Sequence, residues 1–390
     1  MNRLAIITTH PIQYNAPLFA ILSEREKIKI KVFYTWGKTV MEKKFDPGFG
    51  QNIEWDIPLL EGYEYAFEEN TATEPGSHHY KGIKNPTLIK DIQDWGANAI
   101  LIYGWNFKSH LAAIRFFNKK MPVFFRGDST LINEKKGFKQ ILRLIVLSFV
   151  YYHIDIAFYV GIANKAYFKA MGLKEKQLVF MPHAIDNSRF ASNEKDEREA
   201  KLLKNKLGIE TSALLFLFAG KLDSNKNVAL LIKAFIGSNT KNHYLLITGN
   251  GNEEKELKEM SRDHSNIKFL NFQNQQQMPA LYAASDIFVL PSKTETWGLS
   301  INEAMAAGKP IIASNTCGAA LDLIKINENG FLFNCDDISA LIKYLNHFIN
   351  DKDGAALMGT SSLKIIEEYS YTKDCEAIEE VMNGKITVKT

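Results

Sequence analysis

Cysteine is scarce: Cys317, Cys335 and Cys375 are the only three in 390 residues, far apart and in no metal-like spacing. That excludes a disulfide framework. An odd count in so long a chain leads us to expect reduced thiols and a cytoplasmic setting. An excess of one charge is also missing, because 47 basic side chains face 44 acidic ones for a net +3. No global field therefore argues for nucleic acid as the partner. Long apolar runs are absent as well. The most apolar stretch, residues 141–160, is interrupted by Arg143, His153 and Asp155, whereas a spanning helix needs about 20 largely uncharged apolar residues. The apolar start of the chain ends at His10 and Pro11, too soon for a secretion signal, and reads instead as a first β-strand. No complete G-x-G-x-x-G opens either half, which argues against a nicotinamide dehydrogenase.

What is present suffices for a folded core: 46% of the residues are apolar and 23% charged, the balance of a globular protein. The length exceeds one ordinary core and predicts two domains with a ligand cleft between them. Apolar strand-like runs alternate with helical patterns at residues 4–8, 28–34, 99–103, 123–125 and 156–160, the pattern of βαβ units and a parallel sheet. Residues 36–84 lose this periodicity and predict a long irregular insertion with at most short strands. The alternation restarts at 214–218, 244–248, 267–270, 287–290, 310–313 and 331–333, predicting a second doubly wound sheet. We place the boundary in Pro182–Ser192 and assign domains to 1–188 and 189–370. In the final segment, 371–390, Ala377, Ile378 and Val381 make an apolar helical stripe, which must be buried. Packing back onto the first domain would bury it.

Residues 285–314 predict a buried strand ending at Pro291, a loop with Glu295, and a helix from near Leu299 to Gly308. A helix start at the carboxyl edge of a parallel strand offers unpaired N–H groups and partial positive charge, suited to phosphate. Gly298 removes a side chain that would block close approach. Glu295 and Glu303 stand on either side with seven residues between. They either bracket a hydroxyl-rich ligand, as carboxylates accepting from a ribose or hexose, or are a solvated loop residue and a surface helix residue. In GKLDSNKN, Gly220, Lys221 and Lys226 follow the first strand of the second half. The lysines suit a diphosphate and the charge on a departing nucleotide, or are simply solvated.

Taken together, GKLDSNKN, the run NFQNQQQMPALYAASDIFVLPS, ETWGLSINEAMAAGKPIIAS and NGFLF resemble the C-terminal domain of glycosyltransferase family 4, across roughly residues 213–335. The resemblance implies a retaining, metal-independent enzyme of the GT-B fold: two Rossmann-like domains facing a cleft, the C-terminal helix crossing back to the first. It implies that Lys221 and Lys226 bind the donor diphosphate, with lysine at a position where the family more often has arginine. It further implies that Glu295 contacts the transferred sugar, with Thr296 and Trp297 beside it. Amides near Gly298 and Leu299 receive phosphate oxygens, Glu303 binds the ribose, and the base lies near Phe272 and Gln273. The donor is then a UDP- or GDP-linked sugar, with no cofactor and no metal.

The first half resembles the family less closely, through THPIQYNAPLF and PVFFRGDS. Where members often carry a glycine-rich loop, this chain has Pro11, Gln13, Tyr14 and Asn15. These, with His10, are candidates for the acceptor. Asp128 stands nearest a position where members often have histidine, and would orient an acceptor hydroxyl or stabilise positive charge on the ring. Arg126 would hold it or bind an acidic group; a structural ion pair is the alternative. Trp105, between Gly104 and Asn106 after a strand, suits a sugar face or packing. Residues 135–152 combine a basic start with an apolar continuation. The apolar part is expected to be a buried crossover helix, and the basic end suits an anionic membrane bearing a lipid-linked acceptor.

The expected reaction moves a sugar to a glycan or lipid-linked acceptor in bacterial surface polysaccharide synthesis, at the inner face of the membrane. No side chain stands out as a nucleophile, so front-face displacement in a closed cleft is expected. A nucleotide-sugar epimerase of the same fold and a binding protein without catalysis are the rival readings.

Overall fold

The structure is a computed structural model that describes residues 1–38, 44–46, 51–132, 134 and 137–384. The chain forms two compact units, one of Met1–Lys43, Pro58–His183 and Tyr371–Thr390, the other of Lys44–Ile57 and Ala184–Ser370. The chain thus enters the second unit at Ala184, slightly before the expected boundary at residue 188, and visits it once earlier, within the stretch read as an irregular insertion.

In chain order the first half contains β1 (Arg3–Thr8), β2 (Lys29–Tyr34), the short pair β3 (Lys44–Asp46) and β4 (Gln51–Ile53), and β5 (Glu64–Phe67). It continues with β6 (Ala99–Tyr103), β7 (Val123–Arg126), β8 (Ile156–Tyr159) and β9 (Leu178–Phe180). Apart from the antiparallel β3–β4 pair, these form one parallel sheet of seven strands ordered β5-β2-β1-β6-β7-β8-β9. Its principal helices are α1 (Ala16–Glu24), α2 (Leu88–Trp95), α3 (Lys108–Phe117), α4 (Phe138–Tyr151) and α5 (Ile162–Ala170). Central strands carry continuous apolar runs because both faces are covered; Leu4, Ala5, Ile6 and Ile7 have no exposed surface. β9 is the strand the sequence pattern did not predict. It is three residues long and lies at the sheet edge, half exposed, so it carries neither a buried run nor a clean alternation.

The second unit contains α6 (Asn187–Phe190), α7 (Glu194–Leu207), β10 (Leu215–Ala219), α8 (Val228–Ile236), β11 (Tyr244–Thr248), α9 (Glu254–Met260), β12 (Ile267–Leu270) and α10 (Met278–Ala284). After these come β13 (Ile287–Leu290), α11 (Leu299–Ala306), β14 (Ile311–Ser314), α12 (Gly318–Leu323), β15 (Gly330–Phe333), α13 (Ile338–Asn350) and α14 (Lys352–Ile366). Its six parallel strands are ordered β12-β11-β10-β13-β14-β15. Chain order therefore reverses between β10 and β13, and between β1 and β6 in the other unit. In open α/β sheets the carboxyl ends at such a reversal leave a crevice, because the flanking loops depart to opposite faces.

The last helix, α15 (Tyr371–Met382), belongs to the first unit and packs on α1. Its predicted stripe, Ala377, Ile378 and Val381, is buried. Arg25 donates to both Glu379 carboxylate oxygens at 2.5 and 2.9 Å, Lys27 adds a third bond at 2.9 Å, and these cations hold the carboxyl below its usual range. A different acid lies deeper. Asp374 is 1% exposed, its Oδ1 has no hydrogen-bond partner, and burial raises its pKa to about 8 despite the opposing field of Arg126.

Because the folded pKa of Asp374 exceeds the unfolded one, its neutral form favours the fold, and stability should decline as pH rises from about 4 toward 8. We expect Asp374→Asn to flatten that decline, by up to about 1.4 kcal/mol per pH unit. Urea denaturation of both proteins at pH 5 and pH 8 measures it; parallel pH dependences would refute the assignment.

Candidate donor site at a sheet reversal

The β10 loop is shaped by Asp223, whose Oδ1 accepts the backbone N–H of Asn225 at 3.0 Å and of Lys226 at 3.1 Å. This side-chain-capped turn carries Lys226 toward the β13 loop, where its ammonium pairs with Glu295. Two further bonds join these loops: Lys293 N–H to Asn225 O at 2.7 Å, and Asn227 Nδ2 to Pro291 O at 3.4 Å. Asn227 caps α8 in left-handed backbone at φ 55°, a conformation asparagine tolerates. Both members of the ion pair are about one-fifth exposed. A ligand with charge for the lysine and hydroxyls for the carboxylate would offer each member a replacement partner.

β11 completes the floor of the crevice. A Cβ on Gly249, whose φ is +132°, would stand 1.9 Å from Gly220 O, and one on Gly251 would stand 2.3 Å from Leu222 O. Only glycine permits this approach, and it allows Gly220 N–H to reach Thr248 O at 3.1 Å and Leu222 N–H to reach Asn250 O at 3.0 Å.

The β13 loop is stitched to the next strand end by Glu295 N–H to Thr316 O at 3.3 Å, Gly318 N–H to Glu295 O at 3.1 Å and Ala319 N–H to Trp297 O at 2.8 Å. It delivers Gly298, at φ +103°, as the N-cap of α11, with no side-chain cap on the first turn, where Ile301 N–H donates to Gly298 O at 2.9 Å. A helix start of this kind favours an anion. Leu299 is the first helical residue and half-buried, while Thr296 is exposed.

Glu303 lies one turn into α11 and is only 3% exposed, accepting the Tyr282 hydroxyl at 2.8 Å. It is thus not the solvated surface glutamate that one reading of the sequence allowed. Tyr282, which holds it in place, lies in α10 and carried no signal beyond an apolar helical position. Phe272 and Gln273 follow β12, both half-buried. Phe272 N–H donates to Asn250 Oδ1 at 2.7 Å, and Gln273 Nε2 turns back to Asn271 O at 2.9 Å. Trp297 does not join this group as expected. It is 3% exposed, with its indole N–H on Asn302 Oδ1 at 2.9 Å and its ring against Tyr369, so it supports the loop from beneath.

In the first unit, His10 follows β1. Its Nδ1 lies 2.8 Å from Thr9 Oγ1, and its ring meets Trp36 edge-on at 5.3 Å. Gln13, Tyr14 and Asn15 form the half-buried turn into α1. Trp105 follows β6, across the reversal from β1, and is partly buried against the core. Arg126 departs from the expected acceptor role: it is 5% exposed and donates to Met181 O at 2.6 Å and Pro182 O at 2.7 Å, so its guanidinium is spent on backbone carbonyls. Asp128 is half exposed with His183 Nε2 at 3.9 Å, and burial lowers the pKa of that histidine. His183 falls within the boundary stretch Pro182–Ser192, three residues past β9, and so carried no signal of its own.

α4 does run between β7 and β8, with Leu147, Val150 and Tyr151 buried. Its other face contradicts the expectation of burial. Phe138, Leu142, Ile145, Val146, Phe149 and Tyr152 are all exposed, at the three- and four-residue spacings of one helical stripe. Lys135 and Lys136 lie outside the described residues. No helix among the described residues is long and apolar enough to cross a membrane.

Comparison with known proteins bears on the second unit most directly. Residues 199–365 match the family described as Glycosyl transferases group 1. An uncharacterized glycosyltransferase of Haemophilus influenzae is 32% identical over 181 residues, 45% of this chain and 50% of that protein. The Escherichia coli UDP-Gal:alpha-D-GlcNAc-diphosphoundecaprenol alpha-1,3-galactosyltransferase is 28% identical over 222 residues, 55% of this chain and 56% of that one. The chain thus spans about half the length of these relatives. In fold, sucrose-phosphate synthase from Thermosynechococcus elongatus superposes with a TM-score of 0.75 at 17% identity, over 99% of both chains. Both Rossmann-like sheets are therefore those of the GT-B fold.

Gly298→Ala tests the helix start. A Cβ there would meet Leu290 Cδ2 at 3.2 Å and Glu295 Cγ at 3.3 Å in left-handed backbone. We expect a loss of about 1–3 kcal/mol in urea denaturation; an unchanged midpoint would show that the loop relaxes freely.

Proposed function

Because residues 199–365 belong to the Glycosyl transferases group 1 family, we propose that this chain transfers a sugar from a nucleotide diphosphate sugar to a hydroxyl of a glycan or lipid-linked glycan, with retention at the anomeric carbon. The observation that carries the reading is the convergence, at one reversal point, of Lys226, Glu295 and the start of α11.

In this reading the diphosphate displaces the Lys226 ammonium from Glu295 and takes it, with Lys221, as its counter-charge. Amides at Gly298 and Leu299 receive a phosphate oxygen, and the freed Glu295 carboxylate accepts from hydroxyls of the sugar, with Thr296 at the rim and Gly220 giving close approach. Glu303, held by Tyr282, is placed for the ribose, and Phe272 and Gln273 for the base. The acceptor oxygen forms its bond to the anomeric carbon as the bond to the phosphate oxygen breaks, and the hydroxyl proton passes to the departing phosphate. The protein's work is to stabilise charge on that leaving group, for which fixed cations and amides need no reorganisation. Acceptor contacts are assigned to His10, Gln13, Tyr14, Asn15 and Trp105, with Asp128 orienting the hydroxyl.

A relative that uses a UDP-linked donor and a diphosphoundecaprenol-linked acceptor supports a setting in bacterial surface-glycan synthesis. The outward stripe of α4 supports peripheral contact with the cytoplasmic face of a membrane, since an exposed apolar helix face partitions into the interface.

Lys226→Ala should reduce turnover by about 10²- to 10³-fold in an assay of radiolabelled sugar transfer from UDP- and GDP-sugars to lipid-linked acceptors. Near-normal turnover would remove the lysine from the mechanism. Sugar that returns isomerised from incubations without acceptor would replace transfer by epimerisation. Separately, replacing Val146 and Phe149 with serine should abolish flotation with phosphatidylglycerol vesicles while leaving the melting temperature unchanged; equal flotation would assign the stripe another purpose.

A further inference from the structure

Residues 54–57 come from the first half of the chain yet belong to the second compact unit. They run along the loop after β12. Asn274 Nδ2 donates to Glu54 O at 2.7 Å, Gln276 N–H to both Asp56 carboxylate oxygens at 3.2 Å, and Gln276 Nε2 to Asp56 O at 2.5 Å. These bonds grip the residues on either side of Trp55 and leave its indole out of the attachment. The indole stands half-buried against Phe272, with ring centroids 6.5 Å apart and planes at 61°. The loop is also braced from its other side, by Asn250 at the Phe272 amide and by Arg189, which donates to Gln275 Oε1 at 2.5 Å.

The position is informative. β12 lies two strands from β10, roughly 10 Å at ordinary strand spacing, so the two rings border the same carboxyl edge as Lys221 and Lys226 at the reach of a nucleoside. Two rings at a steep angle present one aromatic face beside one edge, which suits a flat heterocycle better than a saturated sugar.

We infer that Trp55 is a wall of the nucleotide site, its indole stacking on the base of the donor with Phe272 as the second wall. The inference rests on the donor-site reading and extends it to a residue outside 199–365, the part that matches the family. Because every base has a π-face, stacking of this kind adds affinity without choosing among bases. Choice is left to polar groups on the loop, such as Gln273.

The test is calorimetric titration of the full chain with UDP, GDP, ADP and inorganic pyrophosphate. Trp55→Leu keeps an apolar side chain and should weaken the cognate nucleoside diphosphate by about tenfold or more, with pyrophosphate affinity unchanged. Trp55→Phe should retain most of the nucleotide affinity while losing the quenching of tryptophan emission expected on binding to the wild type. Lys226→Ala should weaken nucleotide and pyrophosphate alike. If Trp55→Leu binds nucleotide as the wild type does, or loses pyrophosphate to the same degree, the role of Trp55 is overturned and the lysine result still judges the phosphate site. If the wild type binds none of the three nucleotides, the donor-site reading and this inference fall together.

Discussion

The second sheet grows outward in both directions from β10, and this reversal is the constraint on which the candidate site depends. A parallel sheet that added strands in one direction only would send successive loops to the same face and leave no gap between neighbouring strand ends. Here the β10 loop and the β13 loop leave adjacent strands, and the backbone bond from Lys293 to Asn225 keeps them in register. A cation-bearing turn and a helix start therefore face one crevice. Neither would be distinctive alone, since exposed lysines and helix starts are common on any α/β protein.

Backbone, more than side chains, builds the floor of that crevice. Gly249 and Gly251 let the β11 loop lie against carbonyls of the β10 loop at distances that exclude any Cβ. Above this floor the Lys226–Glu295 pair is about one-fifth exposed, and a ligand that partners both groups would replace it. Glu303 follows different physics. A nearly buried carboxylate is expensive unless its oxygens are satisfied, and the Tyr282 hydroxyl meets part of that need while fixing the orientation of the group.

The same economy appears in the first unit. Arg126 offers its guanidinium to the carbonyls of Met181 and Pro182, holding the chain just before it leaves the unit. His110, with Thr35 and Gly104 as partners and a pKa lowered to about 4 by burial, is a neutral structural histidine. Buried polar groups near strand ends thus divide between those that shape loops and those left facing the crevice. Hydrogen-bond partners, more than residue type, separate the two.

The amino-acid sequence by itself determined the two parallel sheets, the strand–loop–helix run from Ile287 to Ala306, the pair of lysines after β10 and the terminal helix with its buried stripe. These features rest on periodicity and on turn chemistry among near neighbours, which a linear pattern carries in full. Tertiary structure alone decided the rest. α4 is apolar on both faces, with Leu147 and Val150 inside and Val146 and Phe149 outside, so hydropathy cannot say which face is covered. Trp297 turned inward because Asn302 and Tyr369 receive it. Residues 54–56 meet the β12 loop across a separation of 220 residues. The physical reason is common to all three: burial and partnership are properties of pairs brought together by the fold, and such pairs leave no mark on the spacing of either member along the chain.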